Sequence, residues 1–296
     1  MKNERLVLTI LRWAVMLAGY GYLAYRLATF DSYDFVFHSL YPSSFRQVLL
    51  LLCCVALMVL NLLLEAYKWY TLVRGEGRFS FDDALKGVLY GNIGAFVTPY
   101  RAGDLPARLL QLPQGISPVH ALAFGIYGGV VQTAVIAAIG IVPALLFLES
   151  YQWHYLTWLV VGVAVLGLFW VLFLRRDSRP EWMRLTRRQH VRLLIACTAR
   201  YTCWLCQFIL LMLYYGMEVE IGMLFVALPT YYLLVTVTPN MPVADAGIRG
   251  SWAVFVLGHY GVAAPLAAIT AVSLWFLNTV LPMVIYPMMR KDLSSG

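Results

Sequence analysis

Runs of about 20 apolar residues recur along the chain, and no other feature narrows its fold as much. Each run is long enough to cross the hydrocarbon core of a bilayer as an α-helix. The clear runs cover residues 6–28, 47–70, 118–148, 155–174, 192–215 and 262–289, separated by short polar segments. Only 12% of the 296 residues are charged, about half the share of a soluble domain. The chain therefore reads as an all-α polytopic membrane protein, a single integral membrane domain over 1–296 without a soluble part large enough for a separate activity. Leu6 to Ala28 is longer than a signal-peptide core and lacks a small-x-small cleavage site after it, so it reads as the first span.

Two further apolar stretches are interrupted. Leu85 to Leu112 breaks between Pro99 and Gly103. Gly222 to Gly261 breaks between Pro239 and Pro242, and again at Ala246 and Gly247. Irregular backbone at membrane depth survives only beside protein or a water-filled cavity. Both stretches thus read as re-entrant helical hairpins, each an apolar arm, a break and a second arm too short to span unaided. The break residues are Pro99, Gly103, Pro239, Pro242 and Gly247.

Basic residues orient the chain. Arg175, Arg176, Arg179, Arg184, Arg187, Arg188 and Arg192 form the strongest cytoplasmic signal. Lys68, Arg74, Arg78 and Lys86 mark a second cytoplasmic loop, and Lys2, Arg5, Arg290 and Lys291 place both termini inside. The intervening loops are acidic or neutral, with Asp31, Asp34, Glu149, Glu218 and Glu220. About six full spans plus two non-crossing hairpins satisfy every sign, whereas eight full spans would strain the lengths near 100–117. The net charge of +7 reports this topology rather than a nucleic-acid partner.

The hairpins repeat one another. Val97, Thr98 and Pro99 recur as Val237, Thr238 and Pro239. An aspartate follows each proline (Asp104, Asp245), and an arginine follows each aspartate by four residues (Arg108, Arg249). That spacing puts both side chains on one helix face, with the acid toward the helix N-terminus, where the macrodipole favours it. The flanks repeat as well, span–hairpin–span over about 47–148 and about 192–289, with 6–28 and 155–174 outside the repeat. The charge rule brings the first hairpin in from the cytoplasm and the second from outside. The copies are then inverted, an architecture of transporters.

Arg101, Asp104, Arg108, Asp245 and Arg249 sit at the breaks. A charge at the bilayer centre costs on the order of 3 kcal/mol, so these five are either paired as locks on the hairpins or line a hydrated cavity for a charged substrate. Three arginines against two aspartates leave one cation over. Arginine's planar fork fits phosphate, and helix N-termini at the breaks add partial positive charge. An anionic group, most simply a lipid phosphate, suits such a site. Glu65 and Lys68 read as interfacial anchors at the end of a span. Asn92, Gln132 and Asn278 are isolated amides suited to hydrogen bonds between helices.

Catalytic and metal motifs are missing. The five histidines show no metal-ligand spacing, and no Walker loop or nucleophile elbow occurs. Cys53, Cys54, Cys197, Cys203 and Cys206 all lie in apolar runs, so the redox-like spacing of Cys203 and Cys206 reads as packing. Asp82 and Asp83 read as helix capping before Leu85, and Ser117 with Pro118 as a helix start. The expectation is a protein that is not an enzyme and uses neither cofactor nor metal.

At these motifs the chain resembles the integral-membrane family named for the transmembrane region of lysylphosphatidylglycerol synthase. Members carry a pattern close to Asn-x-x-x-x-x-Pro-x-Arg-x-Gly-Glu-x-x-Arg, which appears here from Asn92 to Arg108 with Pro99, Arg101, Gly103 and Asp104. A Pro-rich turn followed by Gly-x-Arg-Glu appears from Pro239 to Arg249, and Lys68 with Trp69 fits a basic-Trp element. The chain departs from the pattern in carrying Asp104 for glutamate, Pro106 for an ordinary apolar residue and Gly250 for the second glutamate. Asp245 stands on the other side of Arg249 and is a candidate replacement for that missing acid.

The resemblance implies lipid handling: translocation of a phosphate-headgroup lipid, such as an aminoacylated phospholipid or a polyprenyl-phosphate-linked lipid, across the cytoplasmic membrane. It nominates Arg101, Arg108 and Arg249 to hold the phosphate, Asp104 and Asp245 to orient them, and Asn92 as a further contact. The partners would be membrane lipids with anionic headgroups and a separately encoded lipid-modifying enzyme. Two other expectations remain open at this point, an ion-coupled secondary transporter of a small anionic solute and a non-catalytic subunit of a lipid-glycosylation complex.

Overall fold

Apolar runs and side-chain caps together dictate where the helices lie. A computed structural model describes residues 44–98, 101–149, 185–238 and 242–283, with isolated positions nearer the N-terminus. The described elements are helices: α1 (Phe45–Val73), α2 (Phe81–Val97), α3 (Asp104–Leu109), α4 (Pro118–Glu149), α5 (Arg187–Tyr214), α6 (Leu228–Val237), α7 (Pro242–Gly258) and α8 (Ala264–Trp275). A π-helical turn precedes α6 (Met223–Ala227) and another follows α8 (Phe276–Val280). The spans expected at 6–28 and 155–174 lie outside the described residues, apart from isolated positions in the first, as do Pro99 and Pro239.

Among the described residues, four helices are long and apolar enough to cross a membrane: α1, α4, α5 and the continuous segment Ala264–Met283. Only 17% of the apolar window of α1 and 28% of that of α4 is buried, so their remaining apolar surface needs a lipid solvent. Leu52, Val59, Val142 and Leu146 all face outward. A soluble bundle would not leave apolar surface of this extent in water. The hydropathy pattern thus holds for a multi-pass helical membrane protein.

Polar residues set the starts. Ser80 accepts from the Asp83 amide at 3.1 Å while Asp83 accepts from the Ser80 amide at 3.0 Å. This reciprocal box satisfies two orphan donors at the start of α2, and Thr186 with Gln189 does the same for α5. α4 begins at Pro118 as expected, with Ser117 accepting from the His120 amide at 3.4 Å.

Threonine makes both breaks in the same way. α2 ends because Thr98 is extended (φ −119°, ψ 141°). Its hydroxyl donates to the Gly94 carbonyl at 2.6 Å and accepts from the Gly103 amide at 2.7 Å. α3 then folds back so closely that a Cβ on Gly94 or Gly103 would strike the other's backbone carbonyl. α6 ends at Val237, where Thr238 turns extended (ψ 125°). The Thr238 hydroxyl donates to the Leu234 carbonyl at 2.7 Å and accepts from the Trp252 indole at 2.9 Å.

One expected break is wrong. Gly247 lies buried inside α7, which runs unbroken from Pro242 to Gly258. Glycine costs a helix about 1 kcal/mol relative to alanine, and the packing of α7 against α6 and α8 overrides that local cost. With 17 residues, α7 is longer than the six-residue α3, and both stay below the roughly 20 residues that a span needs.

Two apolar cores hold the bundle. One gathers Phe208, Leu211, Tyr231, Val254, Leu257 and Ala271 from α5 to α8. The other gathers Trp69, Leu72, Val88, Phe124 and Leu193 from α1, α2, α4 and α5. α1 and α5 pack along each other and join the two.

Candidate functional site

A cavity of about 490 Å³ opens where the hairpins α2–α3 and α6–α7 approach α1, α5 and α8. Among its walls are Asn92, Arg101, Asp104, Arg108 and Arg249, five of the six residues expected to contact substrate. The sixth, Asp245, stands behind Arg249 and takes its Nε donor at 2.6 Å. Both aspartates lie in the first turn of their helices, where they meet the positive end of the macrodipole. The N-termini at the breaks are therefore occupied by aspartate.

The two Asp–Arg pairs match atom for atom. Arg108 Nε donates to Asp104 Oδ1 at 2.7 Å, as Arg249 Nε does to Asp245 Oδ1 at 2.6 Å. Each pair has a further tie. Arg108 Nη2 donates to Asp104 Oδ2 at 3.0 Å and Nη1 to Glu65 on α1 at 2.8 Å. Asp245 accepts from the Trp275 indole at 3.0 Å. Asp245 is only 4% exposed and Arg108 6%, so neither charge could persist without its partners.

Glu65 and Lys68 are not interfacial anchors. They are 8% and 5% exposed and face the cavity. Glu65 pairs with Lys68 at 2.7 Å, with Arg108 and with Arg200 of α5. Arg108 of α3 and Arg200 of α5 close on Glu65, so protein stands where an interface was expected. Arg200, absent from the sequence expectations, is the fourteenth of 28 residues in an apolar helix. A lone arginine at mid-span is itself a signal of a functional or paired charge.

Amides extend this centre across the bundle. Arg200 donates from Nε to Asn61 at 2.9 Å and from Nη1 to Gln132 at 3.3 Å. Asn61 donates to Asn278 at 3.0 Å, Asn278 to Gln207 at 3.0 Å and Gln207 to the Cys54 carbonyl at 2.9 Å. Gln132 and Asn278 thus bond neighbouring helices, as expected. Asn92 lines the cavity without a hydrogen bond to another described residue.

Arg101 differs from the other cations. Its side chain is exposed, lines the cavity and pairs with no described carboxylate. It is also the one non-glycine residue with positive φ among the described residues, at 57°. That conformation costs an L-residue about 1–2 kcal/mol and marks positions held for function. Five cations (Lys68, Arg101, Arg108, Arg200, Arg249) stand against three carboxylates (Glu65, Asp104, Asp245), so the site carries a net charge of +2. Of the five, Arg101 alone has no described carboxylate partner.

The model of the family described as lysylphosphatidylglycerol synthase TM region matches residues 9–286. The chain belongs to that family. The match covers both hairpins, the cavity and nearly the whole sequence. Among curated proteins, none matches the chain. The family's first-half pattern lines the cavity through Asn92, Arg101, Asp104 and Arg108. In the second half, Asp245 supplies a carboxylate to Arg249. Among the described residues, no cluster of metal-ligating side chains occurs.

Proposed function

We propose that this family member translocates a phosphate-headgroup lipid across a cytoplasmic membrane. The observation that carries the reading is a cavity of net charge +2 bounded by two broken helices inside an apolar bundle. The headgroup enters between the hairpins, the tails stay in lipid, and Arg101 makes the first contact with the phosphate through its unengaged fork of donors. Arg249 closes on it from the second hairpin. Asp104 and Asp245 hold Arg108 and Arg249 in place.

The remaining architecture is part of the same proposal: six spans and two re-entrant hairpins in an inverted repeat, with both termini cytoplasmic. Its support is the matched Thr98 and Thr238 back-bonds, the matched Asp–Arg pairs and the packing of the corresponding spans α1 and α5. Alternate opening of the two repeats would expose the cavity to each leaflet without chemistry, nucleotide or cofactor. The lipid-modifying enzyme that supplies the substrate would be a separate protein.

Reconstitution tests this. Proteoliposomes with headgroup-labelled phosphatidylglycerol in both leaflets are treated with a membrane-impermeant quencher. The wild type should make nearly all the label accessible over minutes, and Arg101→Ala/Arg249→Ala should leave about half protected. Protection of half the label by the wild type, with uptake of a soluble phosphate ester instead, would make it a solute transporter.

A further inference from the structure

We infer that the cavity sorts lipids by headgroup charge, accepting an anionic headgroup whose remaining polar groups are uncharged and rejecting one that carries an ammonium. The inference rests on the lipid reading above and narrows its substrate class.

A cationic headgroup needs a carboxylate whose charge is not already balanced by a cation of the protein. The cavity offers none among its described residues. Glu65 is surrounded by Lys68, Arg108 and Arg200. Asp104 takes two donors from Arg108, and Asp245 takes Arg249 and the Trp275 indole. The undescribed residues of the breaks, Pro99, Tyr100, Pro239, Asn240 and Met241, bring no charge. An aminoacylated phospholipid would carry its ammonium into a site already at +2, where every described acid of the cavity is already balanced.

The uncharged wall points the same way. Asn92, Thr236 and Thr279 offer neutral donors and acceptors, and Trp204 stacks on Tyr232 with rings 6.4 Å apart at 20°. Amides and hydroxyls beside aromatic faces suit hydroxyl-bearing groups, such as a glycerol or a sugar on the phosphate. Arg200 already covers Trp204, its guanidinium 4.9 Å from the ring, so this aromatic face does not serve an ammonium either.

The test is competition in native mass spectrometry. Purified full-length protein meets equal amounts of short-chain phosphatidylglycerol, lysylphosphatidylglycerol and phosphatidylcholine. Phosphatidylglycerol should be bound at least tenfold over each of the others. Arg101→Gln, which leaves every carboxylate paired, should lower its occupancy about tenfold. Lys68→Met/Arg200→Met leaves Glu65 with Arg108 alone and should raise lysylphosphatidylglycerol binding at least tenfold. If that variant does not fold, the wild-type ranking decides. Equal or tighter wild-type binding of the lysylated lipid overturns the charge rule while the lipid reading stands. Equal, unselective binding of all three overturns both.

Discussion

Glu65→Gln should destabilise the protein more than any other single neutralisation in the cavity. Glu65 is 8% exposed and balances Lys68, Arg108 and Arg200 at once. An amide keeps the shape and removes the charge, leaving Arg108 with Asp104 and taking from Lys68 and Arg200 their one described carboxylate partner. Breaking a buried ion pair from one side costs about 3–5 kcal/mol. At about 2.1 cal/mol/K per residue, 296 residues unfold with roughly 0.6 kcal/mol/K, so the loss is a drop of roughly 5–8 °C. Thermal denaturation in mild detergent, followed by tryptophan fluorescence, measures it. The exposed pair Lys86–Asp82, 2.6 Å apart at 40% and 65% exposure, is the control. Asp82→Asn should cost at most about 0.5 kcal/mol. Adding Lys68→Met to Glu65→Gln removes one stranded cation and should recover part of the loss. A Glu65→Gln protein melting within about 1 °C of wild type would refute the hub.

Other consequences are checked by the same denaturation and by the lipid-transport assay. Arg101→Gly relieves the positive φ, so its melting temperature should match or exceed that of the wild type while lipid transport falls about tenfold. Gly91→Ala would drive a Cβ into the Asp104 carboxylate and the Arg108 side chain; a loss of about 1–3 kcal/mol is expected. Asn278→Leu leaves Asn61 and Gln207 each short of a partner, which should cost about 1–3 kcal/mol. Asp245→Asn should abolish transport, and Gly250→Glu should restore it in that background if an acid on either side of Arg249 serves. Wild-type transport by Asp245→Asn would refute the substitution idea.

Much of the fold was legible because hydropathy is written locally. The runs at 47–70, 118–148, 192–215 and 262–289 correspond to α1, α4, α5 and Ala264–Met283. The repeated threonine and aspartate–arginine spacing located both breaks, because each depends on residues within four positions. What failed depends on tertiary neighbours. Gly247 looks like a breaker until α6 and α8 bury it. Glu65 and Lys68 look interfacial until Arg108 of α3 and Arg200 of α5 close on Glu65. The indole that anchors Asp245 lies thirty residues away, and no spacing rule reaches it. Arg200 was legible, being a lone charge at mid-span, and its partner Glu65 lies 135 positions earlier.

The central claim, that the cavity holds a lipid phosphate, is tested most directly by the lipids that leave the membrane with the protein. Wild type and Arg101→Gln, extracted in mild detergent, are compared by quantitative lipid mass spectrometry. One anionic lipid class enriched several-fold over bulk membrane in the wild type, and returned to the bulk proportion in Arg101→Gln, is the predicted result. Identical bulk-like profiles from both proteins would contradict it.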